Sequence, residues 1–170
     1  MVLWLIGKSG SGKSEIGKKL YNRLKTKKNN FIYIDGDDLR RAICWDLGHS
    51  IVEREKSEKI RSNLCYMLSK QNISIVCSAL SNSPKIRLWN KINIPNYHEV
   101  YLNVNYETLL ERDSKGLYKK YSEGKISNIV GLDIPFYEPN NPLLEIKNDG
   151  SMSPDIIVDS IMQKLKKIKN

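Results

Sequence analysis

The chain has 170 residues and a formal net charge of +9 at pH 7, with 40% hydrophobic and 28% charged residues. These proportions are typical of a globular protein, and no stretch reaches the 18 or more apolar residues of a membrane span. The three cysteines are widely spaced and lack the paired Cys-x-x-Cys pattern of a zinc site. We therefore expect one domain over residues 1–170, reduced thiols and a cytoplasmic location.

The positive charge is concentrated in residues 18–28, 112–125 and 164–169. Such an excess favours an anionic partner, which could be nucleic acid, a membrane surface or a highly phosphorylated small molecule. In the groups at 18–28 and 164–169 aromatic residues are not interleaved for stacking on nucleic-acid bases, so these groups are interpreted as solvated faces of the terminal helices, whereas the group at 112–125 lies in a glycine-containing loop. We expect nucleic acid to be disfavoured as a partner and no membrane partner, and a nucleic-acid-binding NTPase is kept as an alternative.

Short apolar runs alternate with helical segments along the first 104 residues. The runs predict strands that are buried on both faces, as parallel strands are, and they are VLWLI (2–6), FIYI (31–34), ISIVCSA (73–79) and EVYLNV (99–104). The predicted helices between them are 13–26, 38–46, 53–71 and 84–92. This alternation predicts an α/β fold with three layers and a parallel sheet.

The loop GKSGSGKS (7–14) follows the first strand and precedes the first helix. It matches the phosphate-binding pattern Gly-x-x-x-x-Gly-Lys-Ser/Thr, in which glycines allow backbone N–H groups to point at phosphate. Lys13 can reach the β- and γ-phosphates, and the Ser14 hydroxyl can ligate Mg²⁺. We predict that MgATP is bound by Gly7, Ser9, Gly10, Ser11, Gly12, Lys13 and Ser14.

Acidic residues follow the second strand, in DGDD (35–38). A motor ATPase would need a carboxylate at the end of the third strand, which instead ends Cys-Ser-Ala (77–79). A GTPase would need Asn-Lys-x-Asp, and the nearest match, NKIN (90–93), lacks the aspartate. The acidic cluster therefore favours a kinase of small molecules, whose carboxylate faces both the metal and the acceptor hydroxyl.

Asp35 and Asp37 are two residues apart around a glycine and could share one metal-centred site, or the cluster could serve as a helix cap. Asp38 is expected to face away or to cap the next helix. Arg40, one turn into that helix, can return toward the same cleft and meet an anionic substrate.

The last third of the chain begins with a predicted short helix at 106–112. Residues 113–142 contain several glycines and prolines and no clear period, which predicts a functional lid. LLEI (143–146) can supply a fifth strand, and Ser153-Pro154 begins a terminal amphipathic helix.

Several motifs together resemble the adenylylsulfate kinase family over nearly the whole chain. Beyond the phosphate loop they are DGD (35–37) with Arg40, DLG (46–48), Arg54, ERDSKGLYKK (111–120), Asn128, Gly131, Asp133 and Pro135. The resemblance implies a P-loop kinase with a five-stranded parallel sheet, a lid loop and often a homodimeric state. It also implies transfer of the γ-phosphoryl group of MgATP to the ribose 3′-hydroxyl of a 5′-modified nucleotide.

The resemblance also implies roles for individual residues. Lys13, Asp35 and Asp37 would be catalytic, with Asp37 accepting the proton of the 3′-hydroxyl, and Ser14 and Asp35 would hold Mg²⁺. Arg112 would lie against the base of ATP. Residues implied to contact the acceptor are Asp37, Arg40, His49, Arg54, Ser57, Leu80, Lys115, Gly116, Leu117 and Ile129.

Three positions of the acceptor pocket depart from the family pattern. Where family members have two aromatic residues that sandwich adenine, this chain has His49 and Ile129, and Ser57 replaces a usual asparagine. The loss of both aromatic faces removes stacking worth about 1–3 kcal/mol per base. A smaller pyrimidine fits better, with His49 or Ser57 bonding its edge, although a neutral replacement of the aromatic by His49 stays open. The favoured acceptor is therefore cytidine diphosphoramidate, and adenylylsulfate is the alternative.

Overall fold

The computed structural model describes residues 1–113 and 115–168, so Ser114 of the ERDSKGLYKK run and Lys169 of the basic tail lie outside the described residues. The strands of the described part are β1 (Val2–Ile6), β2 (Phe31–Asp35), β3 (Ser74–Ser78), β4 (Tyr97–Asn103) and β5 (Leu144–Lys147). Its helices are α1 (Lys13–Lys25), α2 (Gly36–Ile43), α3 (Ile51–Lys70), α4 (Pro84–Asn93), α5 (Tyr106–Arg112), α6 (Leu117–Ser122) and α7 (Pro154–Lys167).

The five strands form one parallel sheet in the order β2-β3-β1-β4-β5. One face packs on α1 and α7, through buried residues such as Leu20 and Ile161. The other face packs on α2 and α3, through residues such as Leu39 and Cys65. The predicted three-layer α/β fold with a five-stranded parallel sheet is therefore confirmed.

The first strand of the structure, Val2–Ile6, agrees residue for residue with the predicted one. The prediction that the second strand is buried on both faces is wrong, because β2 lies at the edge of the sheet and leaves Ile32 and Tyr33 partly exposed. The helix predicted at 38–46 begins earlier, at Gly36, because the Asp35 carboxylate caps it by accepting a bond from the Asp37 N–H at 2.9 Å. Asp38 is therefore not the cap, and its carboxylate pairs with Arg41 at the surface.

The segment predicted as a lid without regular structure contains a short helix, α6 (Leu117–Ser122). Its first turn is capped by Asp113, whose carboxylate accepts bonds from the N–H groups of Tyr118 and Lys119 at 3.2 and 2.9 Å. Gly116 precedes the helix in a left-handed conformation, with φ 63°. The lid segment is thus partly ordered by local capping.

Some of the positive charge of α1 is used in packing against α7. Lys19 and Arg23 both reach Asp155, at 2.9 and 3.1 Å, and Arg23 also pairs with Asp159. These partly exposed ion pairs connect the two helices that cover one face of the sheet. The basic residues of α1 therefore have a structural use that needs no anionic partner.

The state of the cysteines and the length of the helices agree with what the sequence predicts. Cys44, Cys65 and Cys77 are buried, free thiols. Within the described ranges, none of the helices is both long enough and apolar enough to cross a bilayer.

A buried polar network holds the loop that follows β3. The Glu58 carboxylate on α3 is 3% exposed and accepts bonds from the Ser81 hydroxyl and from the N–H groups of Asn82 and Ser83, at 3.1 and 3.2 Å for the two N–H groups. Burial raises the pKa of this carboxyl. Ser81 is fully buried and has this structural role.

Arg87 on α4 fixes the same loop to the end of the lid segment. Its guanidinium is buried and donates to the carbonyl oxygens of Ser81 and Tyr137, both at 2.7 Å, and of Glu138 at 2.9 Å. Hydrogen bonds to a charged group are stronger than neutral ones. Arg87 therefore joins two segments that are distant in sequence and that flank the site described below.

We expect Arg87→Ala to lower the free energy of unfolding by about 3 kcal/mol, because three carbonyl groups lose a buried charged donor. The measurement is urea-induced unfolding followed by circular dichroism. Arg41→Ala serves as the control, since Arg41 is exposed and its pair with Asp38 should contribute less than about 0.5 kcal/mol. Equal losses in the two variants would contradict this role of Arg87.

Candidate functional site

The loop of residues 7–14 joins β1 to α1 and has the geometry of a phosphate cradle. Gly10 and Gly12 adopt left-handed conformations, with φ 79° and 84°, which residues with a side chain rarely accept. At Gly7 a Cβ atom would lie 2.7 Å from the carbonyl oxygen of Leu102. The glycines of the motif are therefore required by the backbone path as well as by the approach of a phosphate.

Lys13 begins α1, and the Nζ of its partly buried side chain donates to the carbonyl oxygen of Lys8 at 2.7 Å. Burial lowers the pKa of its ammonium group to about 8, against the opposing charge of Asp37, and the positive charge of Lys115 lowers it further. The Lys13 ammonium group is thus close to Asp37 and Lys115, which the sequence predicts to contact the acceptor.

Ser14 and Asp35 are brought together, as the sequence predicts. The Ser14 hydroxyl donates to the Asp35 carboxylate at 2.6 Å, and the Tyr33 hydroxyl donates to the same carboxylate oxygen at 3.1 Å. Burial alone would raise the pKa of Asp35, but the bonds from Ser14, from the Asp37 N–H and from Tyr33 outweigh it, and the pKa lies below its usual value. Asp35 is therefore ionised at neutral pH.

This pair fits a magnesium ion that is held partly by phosphate. In residues 1–113 and 115–168, no cluster of three or more acidic, histidine or cysteine side chains could hold a metal by itself. Mg²⁺ is commonly bound by one or two protein oxygens together with water and substrate phosphates. Ser14 and Asp35 supply two such oxygen ligands beside the loop.

Asp37 and Lys115 form an ion pair between the start of α2 and the lid segment. Each of the two side chains is 56% exposed, so the pair lies at the mouth of the cleft. In the first turn of α6, the Tyr118 hydroxyl donates to the carbonyl oxygen of Ser9 in the phosphate loop at 2.9 Å. The helix is therefore docked on the phosphate loop, and Lys115, two residues before it, faces Asp37.

The two predicted anion-binding arginines are bonded to backbone carbonyl groups. Arg40 donates to the carbonyl oxygens of Leu47, at 3.0 Å, and of Gly48. Arg54 donates to the carbonyl oxygen of His49 at 2.8 Å and to that of Asn128 at 2.6 Å. Arg54 thus connects the turn that carries His49 with the segment that carries Ile129, so the two predicted base contacts lie on elements joined by one guanidinium.

His49 is exposed on the turn that these two arginines hold, and both of their charges act on its ring. Burial lowers the pKa of its imidazole, and the positive charges of Arg40 and Arg54 lower it further, so the ring is neutral at pH 7. A neutral imidazole offers one N–H donor and one nitrogen acceptor. His49 can therefore hydrogen-bond the polar edge of a base.

The other predicted acceptor contacts occupy different parts of the cleft. Ile129 is buried, and its N–H donates to the Asp133 carboxylate. Ser57 is buried on α3, Leu80 is partly buried after β3, and Gly116 and Leu117 begin the lid helix.

The predicted ATP-base contact, Arg112, lies at the end of α5. Its guanidinium is beside the turn at Asp149–Gly150, where bonds from Ser151 and, more weakly, the charge of Arg112 hold the pKa of Asp149 below its usual value.

Four residues that support the phosphate loop were missed from the sequence. The Tyr33 hydroxyl shares its one proton between Asp35 and the carbonyl oxygen of Ser14, each at 3.1 Å, and the Ser78 hydroxyl donates to the carbonyl oxygen of Lys13 at 2.8 Å. Asn148 is buried directly after β5 and donates to the carbonyl oxygen of Ser11 at 3.0 Å, and Tyr118 contacts Ser9 as described above. Two of them, Ser78 and Asn148, lie at the carboxyl ends of strands beside the loop, which is the one sequence signal that could have identified them.

Comparisons with known proteins agree with this geometry. The family model described as adenylylsulphate kinase matches residues 1–147. A cytidine diphosphoramidate kinase from Campylobacter jejuni is 35% identical over 167 residues, covering 96% of this chain and 95% of that protein. An adenylyl-sulfate kinase from Vibrio cholerae is 34% identical over 168 residues, covering 96% and 77%.

Among solved structures, the Mycobacterium tuberculosis APS kinase CysC in complex with AMPPNP and APS superimposes with a TM-score of 0.86. Its sequence is 28% identical, and the match covers 97% of this chain and 96% of that one. The similarity therefore extends over both the sheet and the lid segment.

Lys13 predicts a pH dependence of ATP use. Its ammonium group is charged below pH 8 and loses its proton as the pH rises through about 8, so attraction to the phosphates weakens there. Because kcat/KM reports ionisations of the free enzyme, we expect kcat/KM for ATP to fall up to about tenfold per pH unit above that point. Lys13→Arg, which stays charged, should lack this fall even if its rate is lower. A wild-type profile that is flat to pH 9.5 would contradict the assignment.

Proposed function

Because this chain belongs to the adenylylsulfate kinase family, we propose that it transfers the γ-phosphoryl group of ATP to the ribose 3′-hydroxyl of cytidine diphosphoramidate. The family makes the chain a kinase whose acceptor is a hydroxyl group, with a nucleotide-binding P-loop. The proposal goes beyond the family assignment in naming cytosine as the base and a phosphoramidate as the end of the 5′ group of the acceptor. Sequence identity to the relatives does not decide between cytidine diphosphoramidate and adenylylsulfate as acceptor, since the chain is 35% identical to a kinase of the first kind and 34% identical to one of the second.

The observation that carries the proposal is the composition of the two pocket walls joined by Arg54. One wall presents the neutral imidazole of His49, and the other carries the buried Ile129 next to Asn128. Neither wall offers the large aromatic face on which adenine would stack, so about 1–3 kcal/mol of stacking per aromatic contact is absent. A pyrimidine loses less from this exchange and gains a hydrogen-bonding neighbour in His49.

The charges of the cleft suit an acceptor with a diphosphate-like 5′ group. The charges of Arg40 and Arg54 both act on His49, and each guanidinium bonds to carbonyl groups, which are weaker acceptors than phosphate oxygens. An anionic substrate group can therefore compete for either guanidinium. This arrangement supports a phosphorylated nucleotide over a neutral sugar or alcohol.

Phosphoryl transfer in this cleft would proceed in line. The Asp37 carboxylate accepts the proton of the 3′-hydroxyl while the hydroxyl oxygen forms a bond to the γ-phosphorus. The bond between the γ-phosphorus and the bridging oxygen breaks, and ADP leaves. Lys13 and Lys115, which both act electrostatically near Asp37, would stabilise the charge that spreads over the transferred oxygens.

Ser14 and Asp35 would hold Mg²⁺ at the phosphates, where the ion would neutralise charge on the β- and γ-oxygens. The bond network around Asp35 keeps this carboxylate ionised and oriented toward the loop. Tyr33 and the Asp37 N–H therefore act as positioning groups for the proposed metal ligands.

Asp37→Asn should lower kcat by at least about 100-fold and leave the dissociation constant for ATP within about threefold, because the amide cannot accept the proton. Steady-state kinetics and calorimetric titration with ATP measure the two effects. Asp38→Asn is the matched control, since Asp38 is the adjacent residue but pairs with Arg41 at the surface. Full turnover by Asp37→Asn would remove Asp37 from the chemistry.

The acceptor is tested by an ADP-release assay that offers cytidine diphosphoramidate and adenylylsulfate to the wild-type protein. We expect kcat/KM to be at least tenfold higher for the cytidine compound, because the pocket lacks aromatic faces for adenine. Turnover of adenylylsulfate alone would show that the exchanges at His49 and Ile129 are neutral.

The double variant His49→Phe with Ile129→Phe provides the complementary measurement. Restoring two aromatic faces should shift the preference toward adenylylsulfate by about 10- to 100-fold without changing KM for ATP. An unchanged preference would mean that these two positions do not select the base.

A further inference from the structure

The helix α3 has an unusual distribution of polar residues. The side that packs against the sheet buries Ser57, Glu58, Arg61 and Ser62, whereas Val52 and Met67 are exposed. Arg61 is only 6% exposed. A buried guanidinium is costly unless its N–H groups are paired, so its position needs a physical reason.

Hydrogen bonding inside the described part of the chain does not supply that reason. Glu58 is satisfied by the loop after β3, but Arg61 has no hydrogen-bond partner there for Nε and Nη1, and Ser57 has none for Oγ. Buried polar atoms of native proteins are nearly always paired with protein, water or ligand. These atoms therefore mark a place where an acceptor group is expected.

Ser57 and Arg61 lie on the same side of α3. Glu53, Ser57 and Arg61 are spaced at four-residue intervals, so they follow one another along the same side of the helix. Glu53 holds the turn that carries His49, by accepting bonds from the N–H groups of Gly48 and Ser50 at 2.9 and 3.1 Å. This side of α3 therefore begins at the turn that carries His49, where Glu53 lies, and continues through the buried Ser57 to the buried Arg61.

The inner end of this edge lies behind the carboxyl end of β3. The Arg61 charge acts on Glu58 and on the thiol of Cys77, and Cys77 pairs in the sheet with Ile34, next to Asp35. The unpaired donors therefore lie on the face of the sheet that α2 and α3 cover, and α2 is the helix that carries Asp37 and Arg40.

We propose that Ser57 and Arg61 form the inner wall of the acceptor pocket and donate hydrogen bonds to the carbonyl edge of a pyrimidine base. Cytosine presents a carbonyl oxygen next to an unprotonated ring nitrogen, and both accept hydrogen bonds, whereas adenine has no carbonyl group. A guanidinium only donates hydrogen bonds. It can therefore bond to both acceptors of cytosine, whereas one of its donors stays unpaired beside adenine. This inference rests on the proposed function and names the residues that select its base.

The test compares variants of the full chain in kcat and KM for cytidine diphosphoramidate, adenylylsulfate and ATP. Arg61→Met keeps the volume and removes the donors, and it should raise KM for the cytidine compound at least tenfold with KM for ATP within twofold. Arg61→Lys should recover part of the loss, and Ser57→Ala should raise the same KM about three- to tenfold. Ser62→Ala removes an equally buried hydroxyl from the neighbouring edge of α3 and should change nothing.

An unchanged KM for the cytidine compound in Arg61→Met, or equal losses for both acceptors, would overturn the inference and assign the donors to internal water. Should Arg61→Met fail to fold by circular dichroism, Ser57→Ala against Ser62→Ala decides in the same way. Failure of the proposed function is seen separately, in the wild-type protein, as turnover of adenylylsulfate alone, and that result would overturn both.

Discussion

The carboxylate of Asp35 joins the two halves of the cleft. It accepts bonds from Ser14 at the start of α1, from Tyr33 on its own strand and from the N–H of Asp37 at the start of α2. The phosphate loop and the acceptor side are thereby held at a fixed separation by one partly buried group. In-line phosphoryl transfer depends on positioning more than on covalent chemistry, so a displacement of this carboxylate would affect both substrates together.

The sequence predicted those elements whose signals are local. The strand Val2–Ile6 and the helix Tyr106–Arg112 agree residue for residue with the prediction, because an apolar run and a capped amphipathic turn define them. The helix α6 was missed, because it has only six residues and is stabilised by the Asp113 cap and by the contact of Tyr118 with Ser9. The exposure of β2 depends on its place in the strand order, which composition does not contain.

For the site, residue type and spacing predicted the phosphate loop and the meeting of Ser14 with Asp35, since strand ends of a parallel sheet converge at one edge. The hydrogen bonds of Arg40 and Arg54 to backbone carbonyl oxygens were not predictable, because every residue has a carbonyl group and only tertiary packing selects one. The contact of Asn148 with the phosphate loop was not predictable for the same reason. Its amide follows the edge strand β5, two strands away from β1 in the sheet, and still reaches the loop that follows β1.

The ion pair between Asp37 and Lys115 links access to one carboxylate with the position of the segment before α6. Lys115 bonds to a carboxylate oxygen of Asp37, so any other group that bonds to that oxygen has to share it with the ammonium group or displace it. Lys115 lies two residues before α6, and α6 contacts the phosphate loop through Tyr118 and Ser9. A displacement of Lys115 would therefore act on a helix that is bonded to the phosphate loop, which couples the two sides of the cleft mechanically.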